Sequence, residues 1–145
     1  MKSNTTLVFM SGSHRLHSKM SVTHITNLSM LSNSTLEEYQ SNITCYQNAG
    51  FKFDSIDYLL IRRLAFVGCG NNTALSVELF KIEMSIFQGQ NHSRTALVTS
   101  KTNVTILNSS FTSNMVGSCL TIFAEIKGIH SYSCWWSNFC NPEQH

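Results

Sequence analysis

Apolar and polar residues alternate along this chain in short runs, and the runs recur. Gly50-Phe51-Lys52-Phe53, Ala74-Leu75-Ser76-Val77, Ala96-Leu97-Val98-Thr99 and Cys119-Leu120-Thr121-Ile122 follow one another at a nearly constant spacing. The period is about 23 residues, within the range that marks stacked repeats. Asn27-Leu28-Ser29-Met30 fits one step before Gly50. Each run reads as a short strand whose second and fourth residues face one way. A second column holds the pairs Leu59 and Ile61, Phe80 and Ile82, and Val104 and Ile106, with Ile129 continuing the isoleucines. A third column is Phe66, Phe87 and Phe111, each at the same short distance after its isoleucine. Turn-forming residues follow: Gly68-Cys69-Gly70-Asn71-Asn72, then Gly89-Gln90-Asn91-His92, then Ser113-Asn114 with Gly117.

Three short strands in each repeat predict an all-β chain, a right-handed parallel β-helix (solenoid) of about four coils. Coils stack at about 4.8 Å, so like residues form ladders inside. The coils are expected at Leu28–Phe53, Phe51–Phe66, Leu75–Phe87 and Leu97–Phe111, running on into Leu120–Ile129. Phe51, Leu75, Leu97 and Leu120 are expected to form one ladder, Ile61, Ile82 and Ile106 a second, and Phe66, Phe87 and Phe111 a third. The organisation expected is a lead-in or cap over 1–27, coils over 28–130 and a Cys/Trp-containing tail over 131–145. A leucine-rich repeat would need an L-x-x-L-x-L-x-x-N frame, which is absent. A β-sandwich would not recur at this period.

The segments LIRRLAFVGCG (60–70), KIEMSIFQG (81–89) and VTILNSSFTSN (104–114) resemble coils of the pectin-lyase-like right-handed β-helix superfamily. The closest resemblance is to large invertebrate, sponge-type surface proteins built from such coils. LVFMSGSHRL (7–16) is similar to the segment that often precedes the coils there. The resemblance spans roughly 7–130. It implies the fold, an extracellular setting and a longer parent protein, and it implies little about activity.

Composition fits that picture. Only 12% of the 145 residues are charged, and Ser, Thr and Asn make up 47 of them. Such a chain favours strands and turns over charged helices or disordered tails. The formal charge of +2 is no argument for nucleic-acid binding, and no apolar run is long enough for a membrane span. No signal peptide is visible, since the only early apolar stretch is Leu7-Val8-Phe9-Met10.

Two features nonetheless point to the secretory pathway. Asn-x-Ser/Thr sequons start at Asn4, Asn27, Asn33, Asn42, Asn71, Asn91, Asn103 and Asn108, where chance gives roughly three. Asn and Ser/Thr also share turns, which raises the count without glycosylation. The second feature is the cysteines. Cys45 and Cys69 lie at the same distance before Gly50 and Ala74, the starts of successive runs. Stacked coils would bring their Cα atoms to about 4.8 Å, within disulfide range. The alternative is a pair of reduced cysteines in a ladder, with Asn91 and Asn114 on the next rungs. Cys134 and Cys140 flank Trp135-Trp136 and are candidates for a small closed loop, which leaves Cys119 over.

Candidate chemistry is sparse. The only aspartates, Asp54 and Asp57, read as solvated acids of a turn between two strands, and paired catalytic carboxylates are not evident. Arg62-Arg63 is a candidate for binding acidic polysaccharide. His14, His17 and His24 form the one histidine cluster, without a defined element to make it a metal site. His92 and His130 have no argued proximity to a cysteine, and no cofactor-binding motif occurs. The expected function is a non-catalytic extracellular or cell-surface β-helix scaffold or binding segment, with glycans or other surface proteins as partners. The alternative is a fragment of a polysaccharide-active lyase or hydrolase.

Overall fold

The computed structural model describes residues 3–33, 41–47, 49–69, 72–88, 97–100, 103–112, 120–122 and 132–135. The described residues are all-β, and none of them is helical. The strands are β1 (Asn4–Phe9), β2 (Gly12–Leu16), β3 (Met20–Thr23), β4 (Asn27–Ser32) and β5 (Ser41–Cys45). Then come β6 (Phe51–Arg62), β7 (Leu64–Val67), β8 (Asn72–Glu83), β9 (Ile86–Gln88) and β10 (Leu97–Ser100). The last are β11 (Asn103–Leu107), β12 (Ser109–Thr112), β13 (Leu120–Ile122) and β14 (Tyr132–Trp135).

Every pairing between these strands is parallel. One sheet has the order β1-β4-β6-β8-β10-β13, with β11 also on β8 and β3 also on β6. The other has the order β14-β12-β9-β7-β5-β2. The chain therefore visits the two sheets alternately, and each visit adds a strand beside the previous one. Ile61 pairs with Ile82 and Ile82 with Ile106; Phe66 pairs with Phe87 and Phe87 with Phe111. The second and third predicted ladders are thus in register. The isoleucine ladder extends backwards through Met30 to Leu7, and the phenylalanine ladder through Ile43 to His14.

The core lies on the inward positions of these ladders. Met30, Ile61, Ile82 and Ile106 are fully buried, as are Leu28, Leu59, Phe80 and Val104 beside them. Phe66 stacks on Phe87 with ring centroids 4.7 Å apart, and Phe51 meets Phe66 edge-on at 5.7 Å. Like side chains on successive strands pack at one strand spacing, where stacked and edge-on aromatic contacts are both favourable.

The strands turn at single residues held in the left-handed region. His24, Ser55 and Ser76 (φ 59°, 56° and 53°) occupy one corner, and Arg63, Met84 and Asn108 (φ 57°, 47° and 48°) another. Each costs an L-residue roughly 1–2 kcal/mol of local strain, least for Asn. Buried serines tie the second corner. Ser85 Oγ donates to Glu83 O at 2.8 Å and accepts the Leu64 N–H at 3.3 Å. Ser109 Oγ does the same one repeat later, with Leu107 O at 2.9 Å and the Ser85 N–H at 3.2 Å. Backbone groups freed by the corner are thereby satisfied inside the protein.

Three sequence expectations need correction. Leu97 does pair with Leu120, but Leu75 pairs with Asp54 and Ser100 and does not join Phe51 and Leu97 in a ladder. Asn72 takes that rung: its Oδ1 accepts the Phe51 N–H at 2.9 Å, and it pairs with Leu97. The reason is that β6 and β8 keep one constant step along their paired length, from Lys52 and Thr73 to Arg62 and Glu83. The longer step from Phe51 to Leu75 would require a bulge at their front. Second, Asn27–Met30 pairs with Tyr58–Ile61, and Met20–Thr23 lies beside Phe51–Asp54 instead. The excess arises mainly between the end of β4 and the start of β5, where the chain spends more residues than between β1 and β2. Third, the first two strands of a repeat run together through Ser55 and Ser76 as the 12-residue strands β6 and β8. Residues 1–27, expected as a lead-in, carry β1, β2 and β3. Ile129 lies outside the described residues.

Phe87 is 1% exposed and stacked on Phe66. Phe87→Ala is expected to destabilise the fold by about 3–5 kcal/mol. Denaturant unfolding measures this, and a loss below about 1 kcal/mol would show that the phenylalanine ladder is not core.

Candidate functional site

Outward positions on β6 and β8 alternate with the buried ladder, so the register that stacks Ile61 on Ile82 also sets Arg62 beside Glu83. Arg62 Nε donates to Glu83 Oε2 at 2.6 Å, and Lys81 Nζ donates to Glu83 Oε1 at 2.7 Å. Glu83 is the least exposed member of the cluster at 12% side-chain exposure, against 44% for Arg62 and 36% for Lys81. Burial alone would raise the Glu83 pKa. The hydrogen bonds from Lys81 and Arg62, with their charges, outweigh burial and hold the carboxyl below the ordinary glutamate value. The Lys81 ammonium is pushed up, first by its hydrogen bond to Glu83 and then by that carboxylate's charge.

An open depression of about 450 Å³ lies at this corner, lined by Leu31, Ser32, Arg62, Arg63, Glu83 and Met84. Arg62, Arg63 and Glu83 line it, and Lys81 reaches Glu83 from beside it. Both Glu83 oxygens are engaged, and no second carboxylate among the described residues lines the depression. A carboxylate with both oxygens held is poorly placed for proton transfer, which needs a carboxyl free to exchange its proton. Arg62-Arg63 is the part of the site visible in the sequence. Lys81 and Glu83 lie in the coil segment KIEMSIFQG, which gives no sign of their pairing with Arg62; only the step between β6 and β8 reveals it.

The Cys45–Cys69 disulfide is present, with Cα atoms 4.8 Å apart, and both cysteines are 1% exposed. Its placement differs in one detail from the expected equivalence. β5 pairs with β7 up to Thr44 and Val67, so the bridge reaches one residue beyond the step of that ladder. Cys45 therefore lies level with Gly68, which adopts φ 69° and carries the chain to Cys69. A side chain at Gly68 would be strained in that conformation. Cys134 is on β14, while Cys140 and Cys119 lie outside the described residues.

Among the sequon asparagines, Asn4, Asn27, Asn33, Asn42 and Asn108 are exposed. Asn27 Nδ2 donates to Asn4 Oδ1 at 2.8 Å across neighbouring strands, and Ser11 Oγ donates to Asn33 Oδ1 at 3.2 Å. Asn103 opens β11; Asn71 and Asn91 lie outside the described residues. The histidines are dispersed. His14 Nε2 lies 2.7 Å from Met10 O, His17 stacks on Tyr46 at 5.0 Å, and His24 forms a corner. His92 and His130 lie outside the described residues. Asp54 is half-buried and accepts the Ser55 hydroxyl at 3.3 Å, while Asp57 is exposed. Both lie within β6, so the expected turn is a one-residue corner at Ser55. Among the described residues, no three His, Cys, Asp or Glu side chains form a group able to hold a metal ion.

No protein-family description, no curated protein and no solved structure matches the chain.

Removing the bridge with Cys45→Ser and Cys69→Ser together is expected to lower stability by roughly 3.5 kcal/mol, the chain-entropy value for a loop of this length. Paired denaturation curves measure the loss. Because Glu83 titrates lower in the folded state, its contribution is present above the ordinary glutamate range and fades as pH falls through the folded value. The stability difference between the native chain and Glu83→Gln is therefore expected to be about 1 kcal/mol or less at neutral pH and to shrink in acid. A difference independent of pH would mean that the cluster does not couple to folding.

Proposed function

We propose that this chain is a section of right-handed parallel β-helix, of the pectin-lyase-like kind its coil segments resemble. It acts without catalysis as an extracellular or cell-surface scaffold or binding segment. The architecture is supported by the all-parallel pairing, by the strand order that follows the chain in both sheets, and by left-handed corners that recur once per repeat. The strand orders run through more rows than the four coils the sequence suggests; β1 adds one strand at the front of one sheet and β2 one at the front of the other. The setting rests on one observation above others, the buried Cys45–Cys69 bridge. Disulfides persist where the surroundings are oxidising and are rare in the cytosol. The exposed sequon asparagines agree with that setting. The non-catalytic reading is supported by the state of Glu83, whose two oxygens are held by Arg62 and Lys81.

The test is secretion of the chain from a eukaryotic cell behind a supplied leader, followed by peptide mapping. Glycans are expected on Asn33, Asn42 or Asn108, and a linked Cys45–Cys69 peptide is expected without reductant. Bare asparagines throughout, with both cysteines alkylated, would overturn the extracellular reading.

A further inference from the structure

Between their two corners, β6 and β8 turn a flat side away from the core. Coils add along the ladders and not on their flanks, so a coil stacked at either end leaves this side uncovered. The register sets out its positions. Asp57, Tyr58, Leu60 and Arg62 on β6 lie beside Glu78, Leu79, Lys81 and Glu83 on β8. Leu79 is 50% exposed, and Tyr58 and Leu60 are half-buried. Asn27 pairs with Tyr58 and Asn103 with Leu79, so these two asparagines flank the same row.

Charge divides this face. Asp57 and Glu78 are exposed at the margin next to the Ser55 and Ser76 corner, level with each other on neighbouring strands. Like charges directly opposite one another in a sheet are destabilising. Among the described residues neither acid has an ion-pair partner. At the other margin Arg62 and Lys81 share the carboxylate of Glu83, which leaves that cluster with one net positive charge. At about 3.3 Å per residue, the acids lie roughly 10–17 Å along the strands from these cations. Tyr58, Leu60 and Leu79 fill the space between.

A two-fold axis running along the stack, between the positions of Tyr58 and Leu60, reverses the strand direction and exchanges the two margins. We propose that this face docks a second copy of the chain about such an axis, sheet against sheet. Asp57 and Glu78 of each copy then face Arg62 and Lys81 of the other, and Tyr58, Leu60 and Leu79 close the middle. The patch is self-complementary, as a two-fold contact requires. Charge also fixes the direction, because copies with strands running the same way would set acid against acid. Four rows at about 4.8 Å by about 17 Å of strand make a small footprint, so the association is weak and shows at high concentration. The inference goes beyond the scaffold reading and does not depend on secretion. Glycans on Asn27 or Asn103 would cover the face.

The test is sedimentation velocity of the full disulfide-bonded chain, made without glycans, from about 10 μM to about 1 mM. A reversible monomer–dimer equilibrium that weakens in salt is expected. Leu79→Glu is expected to weaken dimerisation by about tenfold or more. Asp57→Lys with Glu78→Lys is expected to weaken it similarly, as is Lys81→Glu alone. An equimolar mixture of those two charge variants is expected to restore dimers, since each margin then meets its opposite. Circular dichroism and retention of the Cys45–Cys69 bridge report folding, and Leu79→Glu carries the test if Lys81→Glu fails to fold. A chain that stays monomeric across the range would overturn the proposal. So would dimers that Leu79→Glu leaves intact, or folded charge variants that do not recombine.

Discussion

Parallel hydrogen bonding in a single register, from each repeat to the next, is the constraint on which the other features depend. Along β6 and β8 that register holds without a slip from Lys52 and Thr73 to Arg62 and Glu83. It brings Ile61 onto Ile82 inside and Arg62 onto Glu83 outside, because the side-chain period of a strand is two and the faces cannot be chosen separately. A slip of one residue would bury the charges and expose the isoleucines. The buried side holds the ladder in place, and the outward ion cluster follows from it. Each of these strands pairs with one a full repeat or more away along the chain, so this order is long-range.

Corners make the register possible. A single left-handed residue bends the chain without interrupting the ladder for long, and the same corner recurs on successive strands. Ser, Arg, Met, His and Asn occupy these positions in place of Gly, so the local strain has to be offset by packing and by hydrogen bonds. Ser85 and Ser109 supply some of those bonds at the corner that borders the cationic depression. The backbone that closes the core therefore also shapes the surface beside Arg62 and Arg63.

The chemistry of that surface is electrostatic. Glu83 is held on both oxygens by Arg62 and Lys81, while the covalent tie at Cys45–Cys69 is out of solvent.

The isoleucine and phenylalanine columns, the all-β class and the Cys45–Cys69 pairing were legible in the sequence. They rest on local alternation and on a spacing that survives without coordinates. Leu75 and Asn27–Met30 were not placed correctly. Short apolar runs look alike, and the longer step from β4 to β6 is hidden where the chain lengthens before β5. The Arg62–Glu83–Lys81 cluster was half visible, as two adjacent arginines. The acidic partner of Arg62 is a whole repeat away along the chain, and only pairing between strands brings them within 2.6 Å. Sequence alone determined which residues prefer the inside. Tertiary structure decided which strand lies beside which, because register is fixed by the cooperative fit of whole strands and not by any one residue.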